Sequence, residues 1–251
     1  MYTIFITGTA GSGKSLLTSR LLQWYKDNQL IPISLNLDPG ATNLPYEADV
    51  DVRDYIDINT LMEAYALGPN GSLIMASDMI ATRLDEIQNE VFNLKPDYVI
   101  VDTPGQIELF AFRPSGPYFV SNFQSDNKAT LFVFDSMLVS SPINYVSIAL
   151  LAASVKLRLK TPHINILTKS DLILDKLKNV LEWSDSYHAL EFALNDQKET
   201  EYSLLSKDLV RSMSKGGFMQ NLIAVSSITM SGMTNLTAYL SRILHQGESR
   251  Y

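Results

Sequence analysis

The chain contains no cysteine among its 251 residues and has only three histidines. The missing thiols exclude disulfide bonds, thiolate zinc sites, iron–sulfur clusters and cysteine nucleophiles. The histidines, His163, His188 and His245, lie far apart and form no metal-binding pair of the His-x-x-x-His kind. Catalysis through thiolates or paired histidines is therefore excluded.

Basic residues are also few. Twenty Lys and Arg against 27 Asp and Glu give a net charge of −7. A protein that binds nucleic acid without sequence preference needs clustered cations, so we expect no nucleic-acid partner. With 46% apolar and 19% charged residues, the composition excludes a disordered, collagenous or coiled-coil protein.

Long hydrophobic runs are missing too. The most apolar stretch, 143–159, contains Asn144, Lys156 and Arg158, so it is predicted to be a core helix rather than a membrane span. The alternative is an exposed apolar stripe for a partner. Residues 1–7 are apolar but contain no basic residue, unlike a secretory signal. We therefore expect a cytoplasmic protein without a membrane partner.

Six short segments are predicted to be strands of a parallel sheet. They are mostly apolar throughout, which is typical of strands buried on both faces. They cover residues 2–7, 31–37, 98–102, 130–135, 164–168 and 222–226. Helical patterns lie between them at 14–28, 78–93, 143–159, 171–183 and 233–245. This alternation predicts a doubly wound α/β fold with a mainly parallel sheet of about six strands.

Two segments are longer than simple connections and are predicted to be insertions in a single domain, 1–251. The first, at about 41–95, separates the second and third predicted strands, and the second, at about 175–217, is polar and helix-prone. Right-handed crossovers place the carboxyl ends of all parallel strands at one edge of the sheet. We therefore expect the functional loops to meet at that edge.

The clearest motif is GTAGSGKS at 8–15, which matches the phosphate-loop pattern G-x-x-x-x-G-K-[ST]. It follows a predicted strand and precedes a predicted helix, as the motif requires, and it predicts a P-loop NTPase fold. Glycines let the backbone wrap a phosphate chain, and the helix N-terminus adds partial positive charge. Lys14 is predicted to reach the β- and γ-phosphates and Ser15 to bind Mg²⁺. The predicted phosphate-binding residues are Gly11, Ser12, Gly13, Lys14, Ser15 and Leu16.

A second motif, Asp-Thr-Pro-Gly at 102–105, ends the third predicted strand. Asp102 is predicted to hold Mg²⁺ through water, and the Gly105 N–H to contact a γ-phosphate. The alternative is an ordinary junction between a strand and a turn.

A third motif, Thr-Lys-Ser-Asp at 168–171, ends another predicted strand and resembles the Asn-Lys-x-Asp guanine reader of GTPases. Guanine presents adjacent N1–H and N2–H donors, and Asp171 can accept from both. Lys169 can lay its aliphatic stem on the base, and Thr168 replaces an asparagine whose amide normally braces the loop. Alternatively, Asp171 is only a helix cap. Ser226 and Ser227 can complete the base pocket through their backbone N–H groups.

Taken together, the motifs resemble those of the GPN-loop GTPases. The pieces are GTAGSGKS at 8–15, NLDPG at 36–40, GPN at 68–70, DTPGQIE at 102–108 and TKSD at 168–171. GPN alone is a trivial tripeptide, but it is specific between the second and third strands beside the other motifs. Because the sequence ends at Tyr251 without a long tail, we expect a compact member of the archaeal type.

The resemblance implies Mg²⁺-dependent hydrolysis of GTP by a homodimer, in which the GPN loop of one subunit enters the nucleotide site of the other. It also places a switch carboxylate, Asp38, near Mg²⁺ and the attacking water. The predicted metal-binding residues are thus Ser15, Asp38 and Asp102. Eukaryotic relatives are linked to RNA polymerase assembly, so a protein client is an expectation of the resemblance alone.

Hydrolysis needs a positioned water molecule and neutralised charge. Besides Asp38, Gln106 stands directly after Asp-x-x-Gly, the place of the water-orienting glutamine in Ras-like enzymes. Glu108 follows two residues later, and Asn70 belongs to the GPN tripeptide. The alternative is that Asp38 opens a turn with Pro39 and that Gln106 and Glu108 simply face solvent.

An arginine finger is not evident, because we expect Arg53 and Arg113 to form surface ion pairs. Asn70, delivered from the partner subunit, is then the predicted trans element. Pro69 fixes φ beside it, and the flanking glycines predict a tight turn that presents the side chain.

Two other functions are compatible with a phosphate loop. A small-molecule kinase usually has an arginine-rich lid and no guanine reader, whereas residues 175–217 contain a single arginine, Arg211. A module that holds nucleotide with negligible turnover is the second alternative.

Overall fold

The computed structural model describes residues 1–196, 201–218 and 221–245, with 201–203 described by their backbone alone. These residues form one sheet with helices on both faces. The strands are β1 (Tyr2–Gly8), β2 (Pro32–Asn36), β3 (Val50–Asp51), β4 (Tyr98–Asp102), β5 (Asn127–Asp135), β6 (His163–Thr168) and β7 (Leu222–Ala224). The helices are α1 (Lys14–Asp27), α2 (Ile58–Tyr65), α3 (Pro69–Met79), α4 (Leu84–Asn93), α5 (Ile107–Phe110), α6 (Ser115–Asn122), α7 (Pro142–Leu159), α8 (Leu177–Asp185), α9 (Tyr187–Asn195), α10 (Glu201–Lys215) and α11 (Met233–Leu244).

The described sheet has seven strands in the order β3-β2-β4-β1-β5-β6-β7, and every pairing is parallel. The predicted doubly wound α/β fold is confirmed. The strand count was one too low because β3 has only two residues, too few for a sequence pattern. Since β1 lies between β4 and β5, the loops after β1 and β4 are neighbours at the carboxyl edge.

The core lies on both faces of the sheet. Ile4 and Ile6 of β1 belong to the cluster packed by α1 and α11, whereas Phe5 belongs to the cluster on the opposite face. Successive side chains of a strand point to opposite faces, and both faces here are covered by helices. This is why the predicted strands are apolar throughout rather than alternating.

Helix α7 is the 18-residue apolar segment at the centre of one helical layer. By length and composition, with a mean hydropathy of 1.2, it is long and apolar enough to cross a membrane. It starts one residue before the predicted segment, at Pro142. Tyr145, Val146 and Val155 are buried in the core cluster on this face of the sheet. One third of the helix is buried, and Ile143, Ile148 and Leu151 are half-buried against the same cluster, so most of its apolar residues pack on the core.

Both predicted insertions differ from the expected pattern in detail. The single helix predicted at 78–93 is wrong, because α3 ends at Met79 and a 3-10 turn, Ile80–Arg83, precedes α4. Likewise, 171–183 begins as a 3-10 turn, Ser170–Ile173, before α8. A 3-10 turn keeps apolar residues three or four positions apart, so periodicity alone does not reveal the change of geometry. Residues 197–200 of the second insertion lie outside the described residues.

Candidate functional site

The loop between β1 and α1 is built for close approach to an anion. Gly11 and Gly13 have φ angles of 73° and 94°, in the left-handed region that other residues avoid. A Cβ on Gly11 would meet nothing within 4 Å, so glycine is required there for conformation rather than for space. Gly13 immediately precedes α1 and is its N-cap residue. The loop therefore presents backbone N–H groups and the positive end of a helix dipole at one place.

Lys14 lies under this loop and is only 6% exposed. Its Nζ donates to the carbonyl oxygens of Gly8 (3.1 Å), Thr9 (2.9 Å) and Gly105 (3.3 Å). Burial lowers the pKa of Lys14 below its usual value. The carboxylates of Asp102 and Asp38 raise the pKa, but their effect is smaller than that of burial. The cation thus connects the phosphate loop with the Asp-x-x-Gly turn after β4.

Asp102 ends β4 and is 1% exposed. Burial raises the pKa of Asp102 to about 6, against the lowering effect of Ser15, Tyr46 and Lys14. Its Oδ2 accepts a hydrogen bond from the Tyr46 hydroxyl at 3.0 Å, and its buried Oδ1 has no hydrogen-bond partner in the described part of the chain. An unpartnered buried carboxylate oxygen is an acceptor ready for a hydrated cation.

The residues at this edge suit Mg²⁺ in a nucleotide complex. Among the described residues, no three acidic or histidine side chains are grouped so that they could hold a metal ion by themselves. Mg²⁺ in P-loop enzymes does not need one, because water and phosphate oxygens supply most ligands. Ser15, Asp38 and Asp102 provide the hydroxyl and carboxylate oxygens that this arrangement requires. When bound, the ion would neutralise charge on the β- and γ-phosphates.

Asp38 is held against the turn after β4. Its Oδ2 accepts from the Gly105 N–H at 2.9 Å, and its Oδ1 accepts from the Gly40 N–H at 2.9 Å. The Asn36 side chain fixes the backbone, since its Oδ1 accepts from the Asp38 N–H at 3.0 Å. Asp38 therefore does open a turn with Pro39 and Gly40, and in addition it contacts the N–H predicted to meet a γ-phosphate.

A cavity of about 250 Å³ lies beside the phosphate loop. Residues from three separate predicted motifs line it together with two apolar residues that the sequence did not indicate. The lining residues are Gly13, Leu16, Thr168, Lys169, Asp171, Leu172, Ser227 and Ile228. Leu172 is 58% and Ile228 68% exposed, so both apolar side chains are available to pack against a planar base.

Asp171 supplies the acceptor in this cavity. Its Oδ1 is buried and has no hydrogen-bond partner among the described residues. Lys169, two residues before Asp171, has a left-handed backbone (φ 55°). Its Nζ bonds to the Gly11 carbonyl at 2.8 Å and pairs with Asp135 at 2.6 Å. The lysine thus ties the base-reading segment to the phosphate loop and leaves Asp171 free to accept from a ligand.

Thr168 stands where the resemblance implies an asparagine that braces the loop. It is 1% exposed. Its Oγ1 lies 2.7 Å from the Ser12 carbonyl and 3.1 Å from the Phe134 carbonyl, so the single hydroxyl proton can serve either acceptor. The hydroxyl reaches the phosphate loop directly from the end of β6. The replacement of asparagine by threonine therefore removes one donor but keeps the link.

Ser226 and Ser227 follow β7 and are 1% and 6% exposed. The Ser226 N–H donates to the Ser231 carbonyl at 3.0 Å, so it is already used within its own loop. Arg20 of α1 donates to the Ser227 carbonyl at 2.8 Å, which holds this loop beside the cavity. Of the two residues, only Ser227 lines the cavity.

Comparison with known proteins places the chain in a family. A family described as "Conserved hypothetical ATP binding protein" matches residues 6–246. The chain is 32% identical to GPN-loop GTPase QQT2 of Arabidopsis thaliana over 91% of its length, and 30% identical to GPN-loop GTPase 1 of Saccharomyces cerevisiae over 99%. It spans 60% of the plant relative and 67% of the yeast relative.

A solved structure is also similar. A GTPase of Pyrococcus abyssi, in its apo form, superposes with a TM-score of 0.82 and 28% identity, and 97% of each chain is covered. The chain belongs to the GPN-loop GTPase family. The two relatives and the archaeal neighbour are all named as GTPases. The resemblance drawn from the five motifs is confirmed.

The GPN tripeptide of this GPN-loop GTPase does not form the predicted tight turn. Gly68 is the N-cap of α3, Pro69 is its first residue and Asn70 its second. Gly68 has a φ of −77°, and Gly71 continues the helix. Proline is favoured at the first helical position because it has no N–H to leave unpaired. Asn70 is thus presented by a helix terminus, exposed to solvent, and no hydrogen bond is described for its side chain.

The other two predicted catalytic side chains lie at the start of α5. Gln106 is the N-cap residue and Glu108 stands in the first turn, and both are exposed. Gly105, next to Gln106, is the residue in contact with Asp38 and Lys14. The two arginines considered as fingers are instead paired within the chain, Arg53 with Asp51 and Arg113 with Asp78.

Sequence reasoning missed several residues of the GPN-loop GTPase site. Leu172 and Ile228 belong to the cavity, Asp135 pairs with Lys169, and Tyr46 contacts Asp102. Leu172 directly follows the base-reading motif, so its place in the cavity could have been predicted from the sequence. Tyr46 and Asp135 could not have been predicted, because only the tertiary fold brings them to residues more than thirty positions away.

Proposed function

We propose that this GPN-loop GTPase is an Mg²⁺-dependent dimeric switch, whose conformation depends on whether GTP or GDP is bound. The contact between Asp38 and Gly105 carries the proposal. An N–H group makes one strong hydrogen bond, and the Gly105 N–H donates to Asp38 Oδ2. A γ-phosphate that accepts from the same N–H has to displace the carboxylate, whereas GDP leaves the contact intact.

A displaced Asp38 would transmit its movement to α3, the helix that begins at Pro69 of the GPN tripeptide. Asp38 Oδ1 is bonded to the Gly40 N–H. Gly40 packs closely on α3, since a Cβ built on Gly40 would lie only 2.7 Å from Leu73 Cδ2. Asn70 stands on the same helix, three residues before Leu73. The path from the γ-phosphate to Asn70 therefore runs through Gly105, Asp38, Gly40 and Leu73. Each of these residues contacts the next, and Leu73 lies on the same helix as Asn70.

Hydrogen–deuterium exchange can test this switch. Relative to GDP, a non-hydrolysable GTP analogue with Mg²⁺ is expected to change exchange in residues 37–41 and in 68–79, because both segments respond to the loss of the Asp38–Gly105 bond. Leu73→Ala should keep the first change and lose the second. Ile74→Ala is the control, since Ile74 lies on the same helix and is 39% exposed. Changes limited to the phosphate loop would contradict the proposal.

The base selectivity of the site is a separate expectation. Asp171→Asn should weaken GTP binding about 10- to 100-fold, since mispaired buried polar groups cost about 1–3 kcal/mol each. Xanthosine triphosphate should bind more tightly to the variant than to the wild-type protein, because its 2-oxo group accepts from the new amide. Competition titrations with the two nucleotides measure both effects. If both nucleotides bind as they do to the wild-type protein, Asp171 does not read the base. The alternative role as a helix cap is already wrong, because Lys169 is the N-cap of the 3-10 turn and Asp171 lies inside that turn.

The dimer and the client complete the proposal. An isologous pair can place each Asn70 at the partner's nucleotide site, and the exposure of Asn70 on a helix terminus supports this arrangement. Mg²⁺ dependence is supported by the unpartnered oxygen of Asp102. The output of the switch would be a changed surface for a protein client, as the family resemblance implies. Phosphate release from GTP with Mg²⁺ or EDTA, together with sedimentation velocity, tests dependence on the metal and on the dimer.

A further inference from the structure

The loop that connects β2 to β3 passes beside Asp102 and is anchored on both sides of Tyr46. Before Tyr46, the Ser19 hydroxyl of α1 donates to the Pro45 carbonyl at 3.1 Å. After it, the Ser34 hydroxyl of β2 lies 3.2 Å from the Glu47 carbonyl and 2.8 Å from Asp49 Oδ2. The Asp49 carboxylate also accepts from the Ser34 N–H at 2.7 Å. Tyr46 is therefore placed by a helix and a strand of the rigid core.

The side chain of Tyr46 reaches Asp102 across this arrangement. Its ring packs against the core cluster that contains Ile4 and Leu17, and its hydroxyl donates to Asp102 Oδ2 at 3.0 Å. The other oxygen of the same carboxylate, Oδ1, is buried and without a hydrogen-bond partner among the described residues. The protein therefore holds Oδ2 of Asp102 through the Tyr46 hydroxyl, whereas Oδ1 can accept from a ligand.

We infer that Tyr46 is a positioning residue for the Mg²⁺ site, acting through Asp102. This inference rests on the proposed Mg²⁺ dependence. A carboxylate that rotates freely about its side-chain torsions loses conformational entropy when it binds a hydrated cation. This loss lowers its affinity for the cation. The Tyr46 hydroxyl holds the Asp102 carboxylate in place before the cation binds. Tyr46 itself contacts neither the nucleotide nor the metal in this inference.

The size of the effect follows from comparable arrangements. Residues that orient a metal-binding side chain typically contribute about 10- to 100-fold in metal affinity. Asp102 is expected to act through water rather than as a direct ligand, so the lower end of that range applies. The binding of nucleotide without metal should be unaffected, because Tyr46 does not line the base cavity and its hydroxyl is bonded to Asp102.

The test is the Mg²⁺ dependence of nucleotide release. The fluorescent nucleotide mant-GDP is bound to the wild-type protein, to Tyr46→Phe and to Tyr25→Phe, and its release is followed over a range of free Mg²⁺ and in excess EDTA. Tyr25→Phe is the control, because Tyr25 belongs to the core cluster against which the half-buried Tyr46 packs, but its hydroxyl has no hydrogen-bond partner among the described residues. Ser19→Ala is a second variant, which loosens the loop at Pro45 and keeps the Tyr46 hydroxyl.

For Tyr46→Phe, the Mg²⁺ concentration that half-maximally slows release should rise about tenfold. Release in EDTA should match the wild-type protein, Tyr25→Phe should match it throughout, and Ser19→Ala should shift the Mg²⁺ requirement in the same direction by less. An unchanged Mg²⁺ requirement in Tyr46→Phe, or equally faster release in EDTA, would overturn the inference. If release from the wild-type protein does not respond to Mg²⁺, the proposed Mg²⁺ dependence itself fails, and this inference fails with it.

Discussion

Replacing Lys14 with alanine should remove most of the affinity for GDP and GTP while the fold survives. Lys14 is the buried cation under the phosphate loop, and its Nζ donates to carbonyls of the loop and of Gly105. Hydrogen bonds to charged groups contribute about 1.5–3 kcal/mol each, so losing two contacts with phosphate oxygens lowers affinity at least about 100-fold. Calorimetric titration with GDP and Mg²⁺ measures the loss.

Lys26→Ala is the matched control for this experiment. Lys26 stands on the same helix as Lys14, in its last turn, and is exposed. Its removal changes the net charge equally but leaves the phosphate loop untouched. Retained affinity in Lys14→Ala would show that the loop does not bind phosphate, provided that the circular dichroism spectra of both variants match that of the wild-type protein.

The second large effect concerns Asn70 and Gln106. Asn70→Ala and Gln106→Ala should each lower the turnover of GTP about 100-fold, the usual cost of removing one group that acts on the transition state. GTP binding should change little, because both side chains are exposed and neither lines the base cavity. Asn93→Ala, at another exposed asparagine on a helix, controls for the loss of an amide. Turnover like that of the wild-type protein would exclude a direct role.

A mixture of these two inactive variants distinguishes action in trans from action in cis. In a mixed dimer, the subunit that carries Asn70→Ala keeps its own Gln106 and receives an intact Asn70 from its partner. Random pairing makes about half of the dimers mixed, each with one complete site, so activity should recover to roughly a quarter of the wild-type value. If Asn70 acts within its own subunit, every site lacks one residue and no activity returns. That outcome, with mixed dimers shown to form, would refute delivery in trans.

Much of the site was visible in the sequence because its parts are local. The phosphate loop needs glycines at fixed positions between a strand and a helix, and Gly11 and Gly13 do adopt the left-handed conformation that this requires. Asp171 lies three residues after Thr168, and one strand end places both beside Gly13. Errors arose where a local pattern has more than one structural solution. Gly-Pro-Asn starts α3 instead of forming a turn, and the periodic segment 78–93 is divided between α3 and α4 by a 3-10 turn.

The sequence by itself determined the fold class and the family, and it predicted the phosphate loop and the base-reading segment, since each depends on residues that are close together along the chain. Only the tertiary structure decided which carboxylate oxygens are occupied and which are free. Asp38 reaches the N–H of Gly105, and Tyr46 reaches Asp102. Such pairs depend on the order of parallel strands, which brings the loops after β2 and β4 to one edge. No pattern along the chain encodes that neighbourhood, because the crossover helices separate the partners by more than fifty residues.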